Sequence, residues 1–252
     1  MLRILIITCL LFMSALVHAE PCSYIILGNA NKYPKVYQEN GEAQGILVDM
    51  MRYVGEQIHC DFTFRLSSWK RAYVDMLNGD GLIIGLSKTT KRIKTIDYSE
   101  VMFVDDVRVV TLRKSNYNFT GLNDLKSLKV IFSRGASYGD DFDRAMESGL
   151  FIPYPDDGNI VSRLLMVLYG RVDAALVSPG EKSVKRALKN SVLLKQSHLK
   201  LHLHAAPLKE DANYLGAIKG AFPRVLLEQI DMAIRKGHSS SIFTRIEDKY
   251  FN

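Results

Sequence analysis

Only three cysteines, one tryptophan and seven prolines occur in 252 residues. Three cysteines cannot frame a disulfide-dense scaffold, and seven prolines with 17 glycines exclude a collagen-like or low-complexity chain. Like charges never run to five, and no basic stripe is interleaved with aromatics. A formal net charge of +6 over the whole chain therefore does not argue for nucleic acid. The H-E-x-x-H, C-x-x-C and P-loop patterns are absent, so those metal, redox and nucleotide sites are not indicated and no cofactor is implied. After residue 19 no stretch is apolar enough to span a bilayer.

What is present begins with residues 1–19, MLRILIITCLLFMSALVHA. Arg3 gives a positive start, Ile4 to Val17 is almost purely apolar, and Val17-His18-Ala19 places small residues at −3 and −1 before Glu20. That is the layout of a cleaved signal peptide. Its apolar core of about 14 residues is shorter than the roughly 20 of a membrane span. The mature chain is expected to be residues 20–252, soluble outside the cytoplasm. In an oxidising compartment Cys22 and Cys60 can pair. Each opens a predicted strand, and sequential strands of a parallel sheet often lie side by side with their starts at one edge. A bridge there would stabilise by roughly 3–4 kcal/mol through the entropy of the unfolded chain.

Strand and helix signals alternate regularly. Strands are predicted at 23–28, 62–66, 82–86 and 107–112, then at 129–132, 151–153, 174–177 and 200–206. Helices are predicted at 45–58, 69–78, 137–146, 160–169, 181–188, 212–236 and 239–250, the last two broken at Gly237. This order argues for an α/β chain of two lobes, each with its own mainly parallel sheet flanked by helices. The lobes, joined by two long strands near 107–112 and 200–206, are drawn as 20–112 with 206–252, and 113–205; a single sheet of six or seven strands is the alternative.

Ligands of open α/β sheets bind at the carboxyl ends of strands. Those ends carry Asn29 to Pro34 with Tyr33, then Ser67 to Arg71 with Trp69, then Ser87-Lys88-Thr89 with Arg92. In the second lobe they carry Ser133 to Gly139, including Arg134, Gly135 and Ser137, and then Ser178-Pro179-Gly180. Small hydroxyls, arginines and aromatics suit a small, anionic ligand. Gly135 would let backbone approach closely, and Ser137 would open a helix whose free N–H groups favour an anion. Arg92 or Arg134 would hold a carboxylate in bidentate fashion, with Trp69 and Tyr33 as walls. Taken singly, Ser87 and Ser137 read as helix caps; it is their placement at successive strand ends that favours a ligand site. His202 and His204 share a strand face, but no acidic or cysteine partner is evident, so no metal site is expected.

The segments Tyr33-Pro34, Gly85 to Arg92, Asp97-Tyr98-Ser99, Arg134 to Tyr138 and Gly170 to Ala174 come in a telling order. In them the chain resembles the bacterial extracellular solute-binding proteins of family 3, the periplasmic polar-amino-acid binders of ABC importers. The resemblance implies the type II periplasmic-binding-protein fold, a hinged ligand cleft between the lobes, and a monomer in the periplasm. It implies an ABC permease in the inner membrane as partner and no enzymatic activity. Arg92 matches the arginine that holds a ligand α-carboxylate, Ser87 an assisting hydroxyl, and Gly135 to Ser137 the second-lobe loop. Ser178 stands where the amino-acid binders carry an acid for the α-ammonium, and Ile84 and Gly85 replace small polar residues. These departures favour an organic acid or other anion. The rival readings are an exported enzyme resembling cyclohexadienyl dehydratases, with Glu181 as its acid, and a sensor docking on a membrane receptor.

Overall fold

The computed structural model describes residues 22–115 and 117–251, so the expected signal peptide lies outside the described residues. Strand β1 (Ser23–Asn29) pairs in parallel with β5 (Asp61–Ser67) and β6 (Leu82–Leu86). Leu82, Ile83, Ile84 and Leu86 are all buried, as in a strand covered on both faces. Helix α1 (Ile46–Ile58) turns Ile46, Leu47, Met50, Met51 and Val54 into that core, the spacing of one helix face. Helix α2 (Trp69–Leu77) is capped by Ser68, whose hydroxyl accepts from the Arg71 amide. Because β1 and β5 start side by side, with Ser23 opposite Asp61, Cys22 and Cys60 meet in a disulfide with Cα atoms 4.6 Å apart. An antiparallel meander, β2 (Asn31–Lys32), β3 (Val36–Glu39) and β4 (Glu42–Gln44), fills the stretch before α1. Its strands are too short to show a period in sequence.

The other half is built from β8 (Lys129–Ser133), which pairs in parallel with β9 (Ile152–Asp156) and β10 (Ala174–Val177). Helices α3 (Asp140–Glu147), α4 (Ile160–Leu168), α5 (Gly180–Asn190) and α6 (Val192–Ser197) accompany these strands.

Two long strands join the halves. β7 (Ile96–Leu112) and β11 (Leu201–Ile218) run antiparallel from Leu201 opposite Leu112 to Ile218 opposite Ile96. β11 also pairs with β6, and β7 with β10. The result is one sheet of eight strands in the order β5-β1-β6-β11-β7-β10-β8-β9. This corrects the expectation of two separate sheets: the segments read as 107–112 and 200–206 are only the ends of 17- and 18-residue strands. It also corrects the helix expected from Ala212. Asp211, Asn213, Leu215 and Ala217 are buried in alternation, which is a strand period. The helix begins only after Pro223, as α7 (Arg224–Ser239), followed by α8 (Ile242–Phe251). Gly237 does not break α7; a Cβ there would sit 2.5 Å from the Phe243 ring, so the glycine allows close packing instead.

The buried clusters change along the long strands. Phe103 and Leu215 belong to a core with α1 and α7, whereas Val107 belongs to one with Phe119, Phe132 and Phe142. Between them each strand carries charge: Asp105 and Asp106 on β7, and Lys209, Glu210 and Asp211 on β11.

Candidate ligand cleft

Two adjoining cavities of ≈ 190 and ≈ 50 Å³ lie at the carboxyl ends of β1, β6, β8 and β10. Asn29, Lys32, Trp69, Ser133 and Ser178 are in the walls of both. The larger adds Tyr33, Arg134 and Arg163; the smaller adds Gly85, Ser87, Ser137 and Asp211. Their size fits a molecule of amino-acid dimensions rather than a peptide. Gly85 holds φ at +78° in this wall, a backbone conformation that a residue with a side chain rarely adopts.

The charged residues of the long strands form a buried network beside the smaller cavity. The Lys35 ammonium is 2.8 Å from an Asp105 oxygen and donates to Asn213 Oδ1 at 2.9 Å. Asp105 also accepts from the Ser178 hydroxyl at 2.8 Å and from Asn213 Nδ2 at 3.1 Å. Asp211 accepts from Lys209 at 2.8 Å and from the Ser87 hydroxyl at 3.0 Å. Burial pushes the Asp211 carboxyl up, but Lys35, Lys209 and Ser87 outweigh it and hold the group below the usual carboxylate range. Ser87 and Ser178 thus direct their protons at carboxylates. Ser137 accepts from the Gly139 amide at 3.3 Å, which leaves its own proton for a ligand.

A second set of contacts joins the halves across the cleft. Trp69 Nε1 donates to the Gly135 carbonyl at 2.9 Å, and Arg92 Nη2 donates to the same oxygen at 3.2 Å. Gly135 sits at φ +71°, the left-handed region. The Thr90 hydroxyl bonds to Asp140, and the Arg186 guanidinium stacks 3.3 Å from the centroid of the Tyr33 ring. The nine residues singled out in sequence therefore divide. Tyr33, Trp69, Gly85, Ser87, Arg134, Ser137 and Ser178 line the cavities, whereas Arg92 and Gly135 do not and are bonded to each other instead. Arg92 also donates to the Ser87 carbonyl at 3.2 Å and lies over the Tyr73 ring. Arg134 is held in its own half by Asp157 at 2.9 Å and by the Pro155 carbonyl at 2.8 Å. Ser137 does not open a helix: α3 starts at Asp140, because Gly139 at φ 96° supplies the turn into it.

The string from Gly135 to Gly139 has the G-x-S-x-G spacing of a hydrolase nucleophile turn. Its context differs. No histidine lines either cavity, and Ser137 lies three residues ahead of the helix rather than on a strand-to-helix elbow. His204 is a core residue, bonded to the Thr111 hydroxyl at 2.9 Å and to the Phe119 amide at 3.3 Å. Among the described residues no group of three His, Cys, Asp or Glu side chains is placed to hold a metal ion.

The family description "Bacterial extracellular solute-binding proteins, family 3" matches residues 25–252. The chain belongs to this family. Solved structures of the same fold include an arginine-specific periplasmic binding protein of Salmonella typhimurium (16% identity, 92% of this chain and 100% of that one, TM-score 0.72). They also include a histidine kinase sensor domain with similarity to periplasmic binding proteins (19%, 91% and 96%, 0.74). A third is an ancestral amino-acid-binding protein described as a precursor of cyclohexadienyl dehydratase (15%, 91% and 95%, 0.72). At these identities the likeness concerns the fold, which is that of the periplasmic binding proteins. Among the described residues no helix is long and apolar enough to cross a membrane.

For this family 3 member, the strand-end argument in sequence held Lys32 only as part of the stretch from Asn29 to Pro34 and missed Lys35, Arg163, Asp105 and Asp211. Arg163 is a lone charge in the apolar helix IVSRLLMVL, and Asp105 and Asp211 interrupt apolar strands; those interruptions were the available signal. Trp69 offers a direct readout of the cleft, being the sole tryptophan of the sequence. Its indole N–H bridges the halves, so opening hands it to water. Its fluorescence is expected to shift to the red when the cleft opens and to the blue on ligand closure. Trp69→Phe removes the signal and one bridging hydrogen bond, and weakens ligand binding by about fivefold, the worth of one net hydrogen bond of ~1 kcal/mol. Isothermal titration checks the affinity, and an emission spectrum indifferent to ligand would contradict the bridging role.

Proposed function

We propose that this protein is a periplasmic binding protein that captures a small polar or anionic molecule, amino-acid-like or an organic acid, and presents it to an ABC permease in the inner membrane. It acts as a monomer, exported through a cleaved signal peptide, and closes as two lobes on a hinge. The lobes are residues 20–112 with 206–252, and residues 113–205, sharing the strands β7 and β11. Tyr33, Trp69, Arg134, Ser137 and Ser178 contact the ligand in the cavities; Arg92 and Gly135 serve closure. The observation that carries this reading is a cavity walled by both halves and lined by several polar and charged side chains, beside which Trp69 and Arg92 bond across to Gly135.

The reading is non-catalytic. Glu181, the acid an elimination enzyme would need, lies outside both cavity walls and is paired with Lys185 at 2.7 Å. The Lys185 hydrogen bond and charge hold its carboxyl below the usual range, the wrong protonation state for a general acid at neutral pH.

Thermal unfolding against amino acids, organic acids and inorganic anions tests the role. A ligand at 100 times its Kd stabilises by about 2.7 kcal/mol, raising the melting temperature by roughly 5–10 °C. A chain indifferent to every compound would overturn the binding role, and turnover of any of them would replace it with catalysis.

A further inference from the structure

Charge in and beside the cleft is almost fully paired. Asp105 is matched by Lys35 at 2.8 Å, Asp156 by Arg163 at 2.9 Å, Asp157 by Arg134 at 2.9 Å and Asp211 by Lys209 at 2.8 Å. Of the charged side chains in the cavity walls, one is left over. Lys32 follows β1 through the turn at Ala30 and is in the walls of both cavities, and among the described residues its ammonium has no hydrogen bond or ion pair. It sits near two further cations, Lys35 and Arg163, whose own carboxylate partners are already engaged. A partly buried ammonium beside other cations is costly unless an anion joins it.

We propose that Lys32 is the anchor for an anionic group of the ligand, so that the cleft selects small acids of net negative charge over neutral or cationic amino acids. The inference rests on the binding role argued above and narrows its substrate class. The group recognised is an oxyanion, a carboxylate or a phosphate. No cleft carboxylate is free to receive an ammonium in exchange, because each already has its cation. The Ser137 hydroxyl, with its proton unclaimed, is the second donor facing the smaller cavity. Burial, with repulsion from Lys35 and Arg163, brings the Lys32 ammonium down to about 7, only partly offset by Asp105 and Asp211. An incoming anion reverses that.

The test follows the Nε resonance of Lys32 in lysine-labelled protein, assigned through Lys32→Met. Succinate, L-glutamate and inorganic phosphate are titrated against L-arginine and L-glutamine at constant ionic strength set with sodium chloride. The expected result is that an acid moves the Lys32 signal saturably and raises the melting temperature. In Lys32→Met, which lacks that signal, at least tenfold more acid is needed for the same rise in melting temperature, while the ligand-free variant melts no lower than the parent. A Lys32 signal that no acid moves overturns the proposal. If arginine or glutamine then raises the melting temperature, the binding role stands and only the anion assignment falls; if no compound does, both fall.

Discussion

Asp105→Ala is expected to lower the unfolding free energy by roughly 3–5 kcal/mol, the usual cost of removing one partner from a buried ion pair. The side chains of Lys35 and Asp105 are 4% and 1% exposed, so water cannot take over the lost contact. The substitution strands the Lys35 ammonium and deprives the Ser178 hydroxyl and the Asn213 amide of an acceptor. For a chain of this length the melting temperature should fall by roughly 6–20 °C. Replacing both partners, with Asp105→Leu and Lys35→Met together, should recover most of the loss, because an apolar pair of similar volume avoids the cost of dehydrating two charges. Urea unfolding of the two single variants and the double variant gives the coupling directly. A single-variant loss below ~1 kcal/mol would mean that Lys35 re-pairs with Asp211, and that the network is redundant.

The same network explains what sequence could and could not disclose. The disulfide was legible because both cysteines open neighbouring strands. The helices from Ile46 and Ile160 were legible because their apolar residues recur at helical spacing. Two long strands joining the lobes were legible near 107–112 and 200–206, but their full length was not. Asp105, Asp106, Lys209, Glu210 and Asp211 break the apolar pattern at the crossing, so each strand looked like a short one. The most deeply buried of them, Asp105, is tolerated because Lys35, far from it in sequence, folds onto it. Pairing at that separation leaves no local trace. In the cleft, hydroxyls and aromatics after strand ends pointed to Trp69, Ser87, Ser137 and Ser178. Lys32 stood in the same stretch as Tyr33, but nothing local shows whether a lysine has a partner. Arg92 was read as a carboxylate ligand through family resemblance. Its guanidinium donates to the Ser87 and Gly135 carbonyls.

Binding of an acid such as succinate, which carries at least one carboxylate throughout, is expected to weaken as pH rises from 6 to 9, and the sign follows from Lys32. In the ligand-free protein its ammonium, brought down to about 7 by burial and by Lys35 and Arg163, is mostly protonated at pH 6 and mostly neutral at pH 9. The anion binds the charged form, so the bound state returns the group toward an ordinary lysine and binding takes up a proton above pH 7. Below that point both states are protonated and affinity is flat. Above it affinity falls by up to tenfold per pH unit, for a total of roughly 50- to 100-fold by pH 9. The other charged groups facing Lys32 already have partners within the protein. Lys35, Arg134 and Arg163 are each paired with a carboxylate, as are Asp105, Asp156 and Asp157 with those cations, and Asp211 is held below the carboxylate range. In Lys32→Met the slope should vanish along with most of the affinity. The ligand-free variant should also gain stability at pH 6–7, where the parent must keep a charged lysine in the cleft that the unfolded chain would hydrate. That cost to the parent's stability is absent well above pH 10, grows as pH falls through the window between the unfolded and folded values, and is complete below about 7, which is the sign for a lysine lowered by folding. Calorimetric titrations at pH 6, 7.5 and 9 in two buffers of different ionisation enthalpy measure both the slope and the proton taken up. A pH-independent affinity with no proton uptake would show that Lys32 does not touch the anion.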